Sequence, residues 1–438
     1  MESENGNPFG NVLLEDSTAL KTGDVSDEKK PNPSPELISF PKRKVALLLA
    51  YCGEKYYGLV MNRGDRSLEK INPTIEGEFF KALVKAKIVS QDCADTPTKM
   101  GYKCASRTDK GVSTCGQVLS LRLRFTETLP SLINEYLPKD IKVLAVKRAT
   151  KGFSSQHQAG ARTYSYTCPT YAFADTVDVA DSYKISDEKL EQVRSLLQRY
   201  KGTHSFHNFT SGKTMEEMSS NRYIMEIYTE APFMHEHMQF ITIKIKGQSF
   251  MIHQIRKMIG LVIAIVCGQA DLEHFDRCFT QPKCDVPKAP GLGLVLEQIH
   301  YDGYNQKHGH LHGGIDFSEH QAEMTEFHHS RILPYIYQQE LKEHSMLSWI
   351  ESLPYHDFSA TPLIHRQRFN LKNKNNTEAE KKTNDADEKN TDFAANGNGD
   401  SHAKSDTSDS SNPSKVVEDD SSNSISECEP VEKKIKLT

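Results

Sequence analysis

The sequence is organised around residues 101–121, GYKCASRTDKGVSTCGQVLSL. Two segments of alternating or β-branched character, 103–106 and 117–123, flank a tight polar turn in which Asp109 lies among cationic residues. This pattern predicts a β-hairpin with a carboxylate at its turn. Cations and backbone N–H donors both favour the ionised carboxylate, so Asp109 is a candidate nucleophile or base at neutral pH. The alternative is an ordinary Asp-Lys-Gly turn, in which Asp109 bonds its own backbone and Gly111 takes a positive φ.

The same turn resembles a known catalytic motif. Arg107-Thr108-Asp109-Lys110-Gly111-Val112, followed by Gly116-Gln117-Val118, is similar to the catalytic motif of the TruA family of pseudouridine synthases. The Val112-Ser113-Thr114 ending resembles the eukaryotic tRNA pseudouridine synthase 1 branch of that family. Three further motifs extend the resemblance over residues 42–304. Four motifs in family order are far more specific than one short motif.

The composition indicates a basic body between acidic ends. Residues 1–40 and 371–438 each carry a net charge of −5, whereas residues 41–370 carry +5. This distribution suits a polyanionic partner, although the positive excess is modest. Nine cysteines without a CxxC pair favour reduced thiols in an intracellular protein. No signal peptide is evident, and the longest apolar run, 258–267, is too short to cross a bilayer, so we expect no membrane partner.

Five segments are predicted along the chain. Residues 1–40 and 366–438 are polar and are expected to be disordered tails. Strand, helix, hairpin, helix and strand follow one another over residues 41–150, which predicts an α+β unit with an antiparallel sheet. Residues 151–304 form a second unit, and residues 305–365 match the helical extension of the eukaryotic branch. The resemblance implies that the two units are ferredoxin-like, or RNP-like, subdomains whose antiparallel sheets meet at a central active-site cleft.

Two helices have predicted starting points. Asn72-Pro73 supplies an N-cap and a first-position proline for a helix that ends near Val89. A second helix is predicted from Phe250 onward, with His253 as a hydrogen-bonded packing residue on it. The predicted core stripe of this second helix is Ile252, Ile255, Ile259, Val262 and Val266.

The family resemblance assigns catalytic roles to three residues in different motifs. Asp109 is expected to act as nucleophile, or as base at the ribose. Tyr164, in the strand motif Arg162-Thr163-Tyr164-Ser165-Tyr166, is expected to stack on the target uracil. Arg256 is expected to pair with Asp109, since a bidentate guanidinium would orient the carboxylate and lower its pKa. From the residues alone, Tyr164 can equally be a half-buried aromatic residue of a strand. In the same way, Arg256 can be a surface residue of a helix.

Further substrate contacts follow from the same resemblance. Arg107 is expected to fill the helix space left by a flipped uridine. Leu292, in the turn 288–294, is expected to close the site with an apolar side chain. The other predicted substrate-binding residues are Thr108, Lys110 and Arg162. The motif ending at Gly58 is expected to let the backbone approach RNA, but Val60 stands where the family usually has Gln, which puts one RNA contact in doubt.

Isomerisation of uridine to pseudouridine breaks N1–C1′, joins C5 to C1′ and consumes nothing, so we expect no cofactor and no metal. tRNA is the expected partner, together with other structured RNA, read by shape and backbone. A monomer is expected, because the extension can cover the surface through which bacterial relatives dimerise. The basic runs 41–44 and 433–436 favour the nucleus, although 42–44 equally reads as the solvated start of a strand.

Two alternatives come from other functional classes. A non-catalytic RNA-binding protein on a synthase scaffold is favoured by Val60 and opposed by the intact Asp109, Tyr164 and Arg256. A metal-dependent hydrolase would use the alternating histidines of the extension. No Cys or carboxylate at ligand spacing accompanies this group, which consists of His308, His310 and His312.

Overall fold

A computed structural model describes residues 41–62, 71–175 and 182–359. The predicted tails at 1–40 and 366–438 lie outside the described residues. The strands are β1 (Lys42–Tyr51), β2 (Lys103–Cys104), β3 (Ser113–Arg124), β4 (Ile141–Arg148), β5 (Ala161–Pro169), β6 (Gly202–Ser205), β7 (Asn221–Thr229), β8 (Phe233–His235), β9 (Met238–Gly247) and β10 (Leu294–His300). The α-helices are α1 (Ile75–Lys85), α2 (Gln91–Asp95), α3 (Leu129–Asn134), α4 (Asp187–Gln198), α5 (Gln254–Val266), α6 (Leu272–Thr280), α7 (Asp302–His312), α8 (Gln321–Phe327), α9 (Leu333–Glu343) and α10 (Ser345–Ile350).

All of these strands belong to one sheet. Its order is β4-β1-β3-β10-β5-β9-β7-β6, with β2 paired to β3 and β8 paired to β9. The described pairings are antiparallel except that of β10 with β3, which is parallel. The predicted α+β class is confirmed. The sheets that were expected to meet at a cleft are continuous here, because β10 bridges β3 and β5.

The seam between β3 and β10 is short and close. Only two residue pairs form it, Val295 with Ser113 and Leu296 with Thr114. The Thr114 hydroxyl adds a hydrogen bond by donating to the Leu296 carbonyl at 2.6 Å. A Cβ on Gly116 would lie 2.0 Å from the Glu297 carbonyl oxygen, so only glycine permits this approach. The seam therefore depends on backbone contact that a side chain would prevent.

Two hydrophobic cores pack against the sheet. The first joins β1, β3 and β4 to α1 and α3. The second joins β5, β7, β9 and β10 to α4, α5 and the C-terminal extension. Successive residues of β1 alternate between the two cores, with Leu47 and Leu49 in the first and Ala46 and Leu48 in the second. Burial on both faces explains why β1 reads as a continuous apolar run.

Helix α1 is shorter than the sequence predicts. Its N-cap is Thr74 rather than Asn72, because the Thr74 hydroxyl accepts a hydrogen bond from the Gly77 N–H at 3.1 Å. The helix ends at Lys85, and Lys87 takes a left-handed φ of 55°. The predicted continuation to residue 89 is therefore wrong.

Helix α5 begins at Gln254 rather than at Phe250. His253 precedes it in the left-handed conformation, with a φ of 63°, which an α-helix does not accommodate. Ile252 lies outside the helix and is 56% exposed, so its predicted place in the core stripe is wrong. The remaining predicted members of the stripe are buried, namely Ile255, Ile259, Val262 and Val266.

The histidines of the extension lie on helix α7 and not in a loop. His308 packs against the Tyr304 ring, with 5.0 Å between the ring centroids. Within the described ranges, no three His, Cys, Asp or Glu side chains are grouped so that they could hold a metal ion. None of the helices described here is both long and apolar enough to span a bilayer.

A buried carboxylate anchors the extension to the sheet. Glu340 on α9 is 3% exposed and accepts a hydrogen bond from the Tyr171 hydroxyl, just beyond β5, at 2.5 Å. It also accepts from the Ser345 hydroxyl at 2.6 Å and from the Met346 N–H at 2.9 Å. These donors compensate for the burial of the carboxylate.

Replacement of this anchor is expected to destabilise the fold. Glu340→Ala leaves the Tyr171 hydroxyl and the Met346 N–H buried without their acceptor, so the free energy of unfolding should fall by about 3 kcal/mol. Urea denaturation measures this change. The matched surface variant Glu343→Ala should stay within about 0.5 kcal/mol of the wild type. A loss below about 1 kcal/mol for Glu340→Ala would contradict the anchoring role.

Candidate active site

A cleft of about 870 Å³ opens between the turn that precedes β3 and the start of α5. Seven of the predicted site residues line it: Arg107, Thr108, Asp109, Lys110, Arg162, Tyr164 and Arg256. They come from three segments that are far apart in the sequence. Leu292 does not line this cleft; it lines a separate small pocket with Tyr166, whereas Leu294 lines the cleft.

The Asp109 turn rests on a glycine-containing loop after β1. A Cβ on Gly53 would lie 2.5 Å from the Val112 carbonyl oxygen, and one on Gly58 would lie 2.8 Å from the Thr108 carbonyl oxygen. The Leu59 N–H donates to the same Thr108 carbonyl at 3.2 Å. The glycines of this motif therefore let protein backbone approach the Asp109 turn.

Further hydrogen bonds fix the shape of the turn. The buried Tyr51 hydroxyl lies 2.7 Å from the Thr108 hydroxyl, and the Val112 N–H donates to the Asp109 carbonyl at 3.2 Å. Gly111 has a φ of 76°, as its place in the turn predicts. With the backbone held in this way, the Asp109 side chain remains 35% exposed in the cleft.

His253 is the ionisable partner closest to the Asp109 carboxylate. Its Nε2 lies 3.7 Å from Asp109 Oδ2. Burial, followed by the charge of Lys288, lowers the pKa of His253, while the charge of Asp109 opposes this shift. The imidazole is therefore mainly neutral at pH 7. In the parts of the chain that the structure describes, no Arg or Lys nitrogen comes within 4.0 Å of the Asp109 carboxylate.

Arg256 lies near Asp109 without forming the expected bidentate pair. Its Nε donates to the Ala289 carbonyl at 2.7 Å, and the Ala289 N–H donates to the Arg256 carbonyl at 3.1 Å. Burial lowers the pKa of Arg256, and the negative charge of Asp109 acts in the opposite direction. The segment that holds the guanidinium is itself fixed, since the Tyr166 hydroxyl donates to the Pro290 carbonyl at 2.8 Å.

Tyr164 presents a neutral phenol at the base of the cleft. Its hydroxyl lies 2.8 Å from the Ser106 hydroxyl, and its ring meets Phe250 edge-on at a centroid distance of 5.3 Å. Burial raises its pKa, so the phenol stays protonated at neutral pH. Ser106 is held by the buried Gln117, which accepts from the Ser106 N–H at 3.2 Å and donates to its carbonyl at 2.6 Å. The Gln117 amide therefore holds Ser106 beside β3, just beyond the end of β2 at Cys104.

Basic and aromatic groups form the rim of the cleft. Arg107 and Lys110 are exposed on the turn, and Lys213 lines the opposite wall. The Lys110 ammonium lies 4.1 Å from the centre of the Tyr57 ring, which is 47% exposed. The Arg162 guanidinium is hydrogen-bonded to the protein backbone, since it donates to the Gln248 and Ala105 carbonyls at 2.8 and 3.2 Å. Lys213 pairs with Glu217 at 2.5 Å, so Arg107 and Lys110 are the rim cations that suit a phosphate backbone.

Sequence reasoning missed four residues that form this site. Ser106, Gln117 and Phe250 position Tyr164, and their polar or apolar character gave no sign of that contact. His253 was predicted to pack on a helix, because the apolar spacing continues through it without a glycine. Only the left-handed φ of His253 turns the imidazole towards the Asp109 side of the cleft, and non-glycine residues adopt that conformation rarely.

Comparison with known proteins gives a consistent result. A family model described as tRNA pseudouridine synthase matches residues 196–302. The chain is similar to a pseudouridylate synthase 1 homolog of Mus musculus, with 47% identity over 327 residues that cover 74% of this chain and 76% of that protein. A Homo sapiens protein of the same name is 45% identical, covering 73% of this chain and 75% of its own length. A tRNA pseudouridine synthase 1 of Saccharomyces cerevisiae is 31% identical, covering 69% and 70%.

The position of His253 can be tested by titration. Asp109→Asn should lower the pKa of the His253 imidazole further, because the variant removes the negative charge that opposes the downward shift. NMR of the labelled histidine ring measures this pKa. Asp302→Asn, at the exposed start of α7, serves as the matched control and should leave the titration unchanged. An unaltered His253 titration in Asp109→Asn would show that the two side chains are not neighbours in solution.

Proposed function

The chain belongs to the tRNA pseudouridine synthase family, and we propose that it converts uridines of tRNA to pseudouridine in the cleft that contains Asp109. One observation carries the proposal: Asp109, Tyr164 and Arg256 come from three distant segments and line one cleft with a basic rim. A volume of about 870 Å³ is ample for a single nucleotide.

The reaction begins with a uridine turned out of its helix. Arg107, exposed beside the nucleophile, occupies the space that the base leaves and offsets part of the unstacking cost of a few kcal/mol. The uracil then lies against Tyr164, whose ring is fixed by Phe250. Leu294, rather than Leu292, is the apolar residue that closes the cleft.

Asp109 supplies the charged group of the reaction. As a carboxylate it attacks the nucleoside, or removes a proton from the ribose, while the N1–C1′ bond breaks. The released uracil rotates and C5 bonds to C1′, and the bond between Asp109 and the nucleoside then breaks, or Asp109 returns the proton to the ribose. C5 finally loses its proton and N1 gains one, so product and substrate have the same atoms. Neutral His253, 3.7 Å away, leaves the negative charge of Asp109 uncancelled.

Arg256 orients this carboxylate during turnover. One of its five N–H donors is used by Ala289, so the terminal nitrogens remain available for Asp109. The bidentate pair implied by the family needs a small movement of the Arg256 side chain towards the cleft. Substrate binding would favour that movement, because displacing water from the cleft strengthens the attraction between the two charges.

We infer that residues 41–150 and 151–304 act as two ferredoxin-like halves. The first half orders its strands β4-β1-β3-β2, and the four longest strands of the second half are ordered β10-β5-β9-β7. If the short strands β6 and β8 are left out of the count, both halves place their fourth strand first and their second strand last. The active site then lies at the seam between the halves, with Asp109 from one and Tyr164 and Arg256 from the other.

Action on other structured RNA, a monomeric state and nuclear localisation are also proposed. The first follows from recognition by shape and backbone, which does not read a base code. Of the two basic runs that favour the nucleus, residues 42–44 form the start of β1, so import would depend on residues 433–436, which lie outside the described residues.

Asp109→Ala tests the chemistry. The variant should bind tRNA with unchanged affinity and form no pseudouridine, because the group that reacts with the nucleoside is gone. Release of tritium from tRNA labelled at C5 of uridine measures turnover, and filter binding measures affinity. The isosteric Asp109→Asn should also be inactive, and Glu135→Ala on the surface should be fully active. Product formation by Asp109→Ala at a rate comparable with that of the wild type would refute the proposal.

Arg256→Lys tests the orienting role. Lysine keeps the charge but loses the planar pair of donors, so kcat should fall at least about tenfold while KM for tRNA changes little. The matched control is Arg199→Lys, which alters a surface ion pair with Asp276 and should leave kcat unchanged. Equal kcat values for wild type and Arg256→Lys would mean that Arg256 does not act on Asp109.

A further inference from the structure

A group of cations lies at the end of β1 and β3 that is remote from the cleft. In the β1–β3 ladder, Lys42 pairs with Arg124 and Lys44 pairs with Arg122. In the adjoining β2–β3 ladder, Lys103 pairs with Ser120. We call these five residues, Lys42, Lys44, Lys103, Arg122 and Arg124, the cation ladder. Like charges placed directly opposite one another destabilise a sheet, so this arrangement is unfavourable for the isolated fold.

The charges share one face of the sheet. Positions 120, 122 and 124 of β3 are two residues apart, and their rungs repeat at about 7 Å. Burial, followed by the charges of Arg122 and Lys103, lowers the pKa of Lys44 to about 8. Its ammonium donates to the Gly101 carbonyl at 2.6 Å, which keeps it within the group. The neighbouring cations therefore add to the effect of burial on the pKa of Lys44.

A concave surface adjoins the ladder. A pocket of about 250 Å³ is lined by Lys42, Arg122 and Arg124, by Lys87 beyond α1, and by the apolar Met100 and Leu123. Lys87 adds a further cation, held in a left-handed backbone conformation. Pockets with convergent cations on an apolar floor suit anionic ligands that also have an apolar part, such as a sugar phosphate.

Among the described residues, five of these cations are not paired with a neighbouring acid. In the described part of the chain, Lys42, Lys44, Lys87, Lys103 and Arg122 form no ion pair with a carboxylate. The acids on α2, beside the pocket, have partners of their own. Asp92 pairs with Lys99 at 2.6 Å, and Asp95 accepts from the Gln91 amide at 2.9 Å.

The near end of the ladder, at Lys103, is linked to the cleft through Ser155. The Ser155 N–H donates to the Ser120 hydroxyl at 3.0 Å, and the Ser155 hydroxyl donates to the Lys103 carbonyl at 2.8 Å. The next residue, Gln156, lines the cleft. Ser113 and Arg124 are eleven residues apart on β3, so the far end of the ladder lies roughly 35 Å from the Asp109 end of the strand.

We propose that the cation ladder is a second RNA-binding site, which holds backbone phosphodiesters of a tRNA whose target uridine occupies the cleft. This inference rests on the proposed function. Phosphates would convert an unfavourable row of like charges into a favourable set of contacts. Because Arg124 lies roughly 35 Å from the Asp109 end of β3, the far end of the ladder, with Lys42, Arg122 and Arg124, contacts a part of the tRNA outside the stem-loop that carries the target. A short stem-loop would reach the cleft but not this far end.

The test reverses two exposed charges in the full-length protein, Lys42→Glu together with Arg122→Glu. Binding and turnover are measured on whole tRNA and on a short stem-loop with the same target uridine. For whole tRNA, KM and Kd should rise at least about tenfold with kcat unchanged, and the slope of log affinity against log salt should fall by about 1.5. For the stem-loop, neither constant should change. Thermal stability should rise, because the substitutions place Glu opposite Arg124 and opposite Lys44.

The control carries the same change in net charge elsewhere. Lys201→Glu together with Lys283→Glu alters two exposed lysines outside the ladder and should bind both RNAs like the wild type. Equal weakening in the control, equal weakening on both RNAs, or unchanged binding of whole tRNA by the ladder variant would overturn the inference. So would binding of inorganic phosphate at the ladder without an effect on tRNA. Because binding is measured at equilibrium, absence of pseudouridine in the wild type would refute only the proposed function.

Discussion

The parallel contact between β10 and β3 is the constraint on which the site depends. It consists of two residue pairs and the side-chain hydrogen bonds of Thr114 and Cys115 to β10 carbonyls, and it is possible only because Gly116 lacks a Cβ. Asp109 precedes β3 by four residues, and Leu296 of β10 pairs on its other side with Tyr164. The seam therefore sets the distance between the carboxylate and the phenol. No other described strand joins the two halves of the sheet.

The electrostatics of the cleft follow from this geometry. The carboxylate of Asp109 is partly exposed, the phenol of Tyr164 is buried and protonated, and the imidazole of His253 is largely neutral. Positive charge is confined to the rim and to Arg256, whose guanidinium is anchored on the Ala289 carbonyl. The Asp109 carboxylate is thus surrounded by groups that can bind a polyanion without neutralising the carboxylate.

The sequence predicts the positions of the strands better than it predicts the close contacts between them. Alternation and continuous apolar runs locate β1, β5 and β9, and the Asp-Lys-Gly pattern predicts the turn with Gly111 at positive φ. The parallel seam has no local pattern, because two residue pairs and a missing Cβ do not alter hydrophobic periodicity. The start of α5 is wrong for a related reason: His253 adopts a conformation that tertiary contacts impose and local preference opposes. The neighbours of Tyr164 are likewise set by contacts between distant residues, such as that with Ser106.

The seam also bears on how the chain acquires its structure. Thr114 and Leu296 are 182 positions apart, so their contact closes a very long loop, and such closures occur late in folding. During synthesis the first half can fold around its own core, with the Asp109 turn already shaped by Gly53 and Gly58. The strand that pairs with β3 across the seam, β10, can do so only after it has been translated. A nascent or truncated chain would therefore contain a well-formed reactive turn and still be inert, so that RNA meets a competent enzyme only once synthesis has passed the final strand.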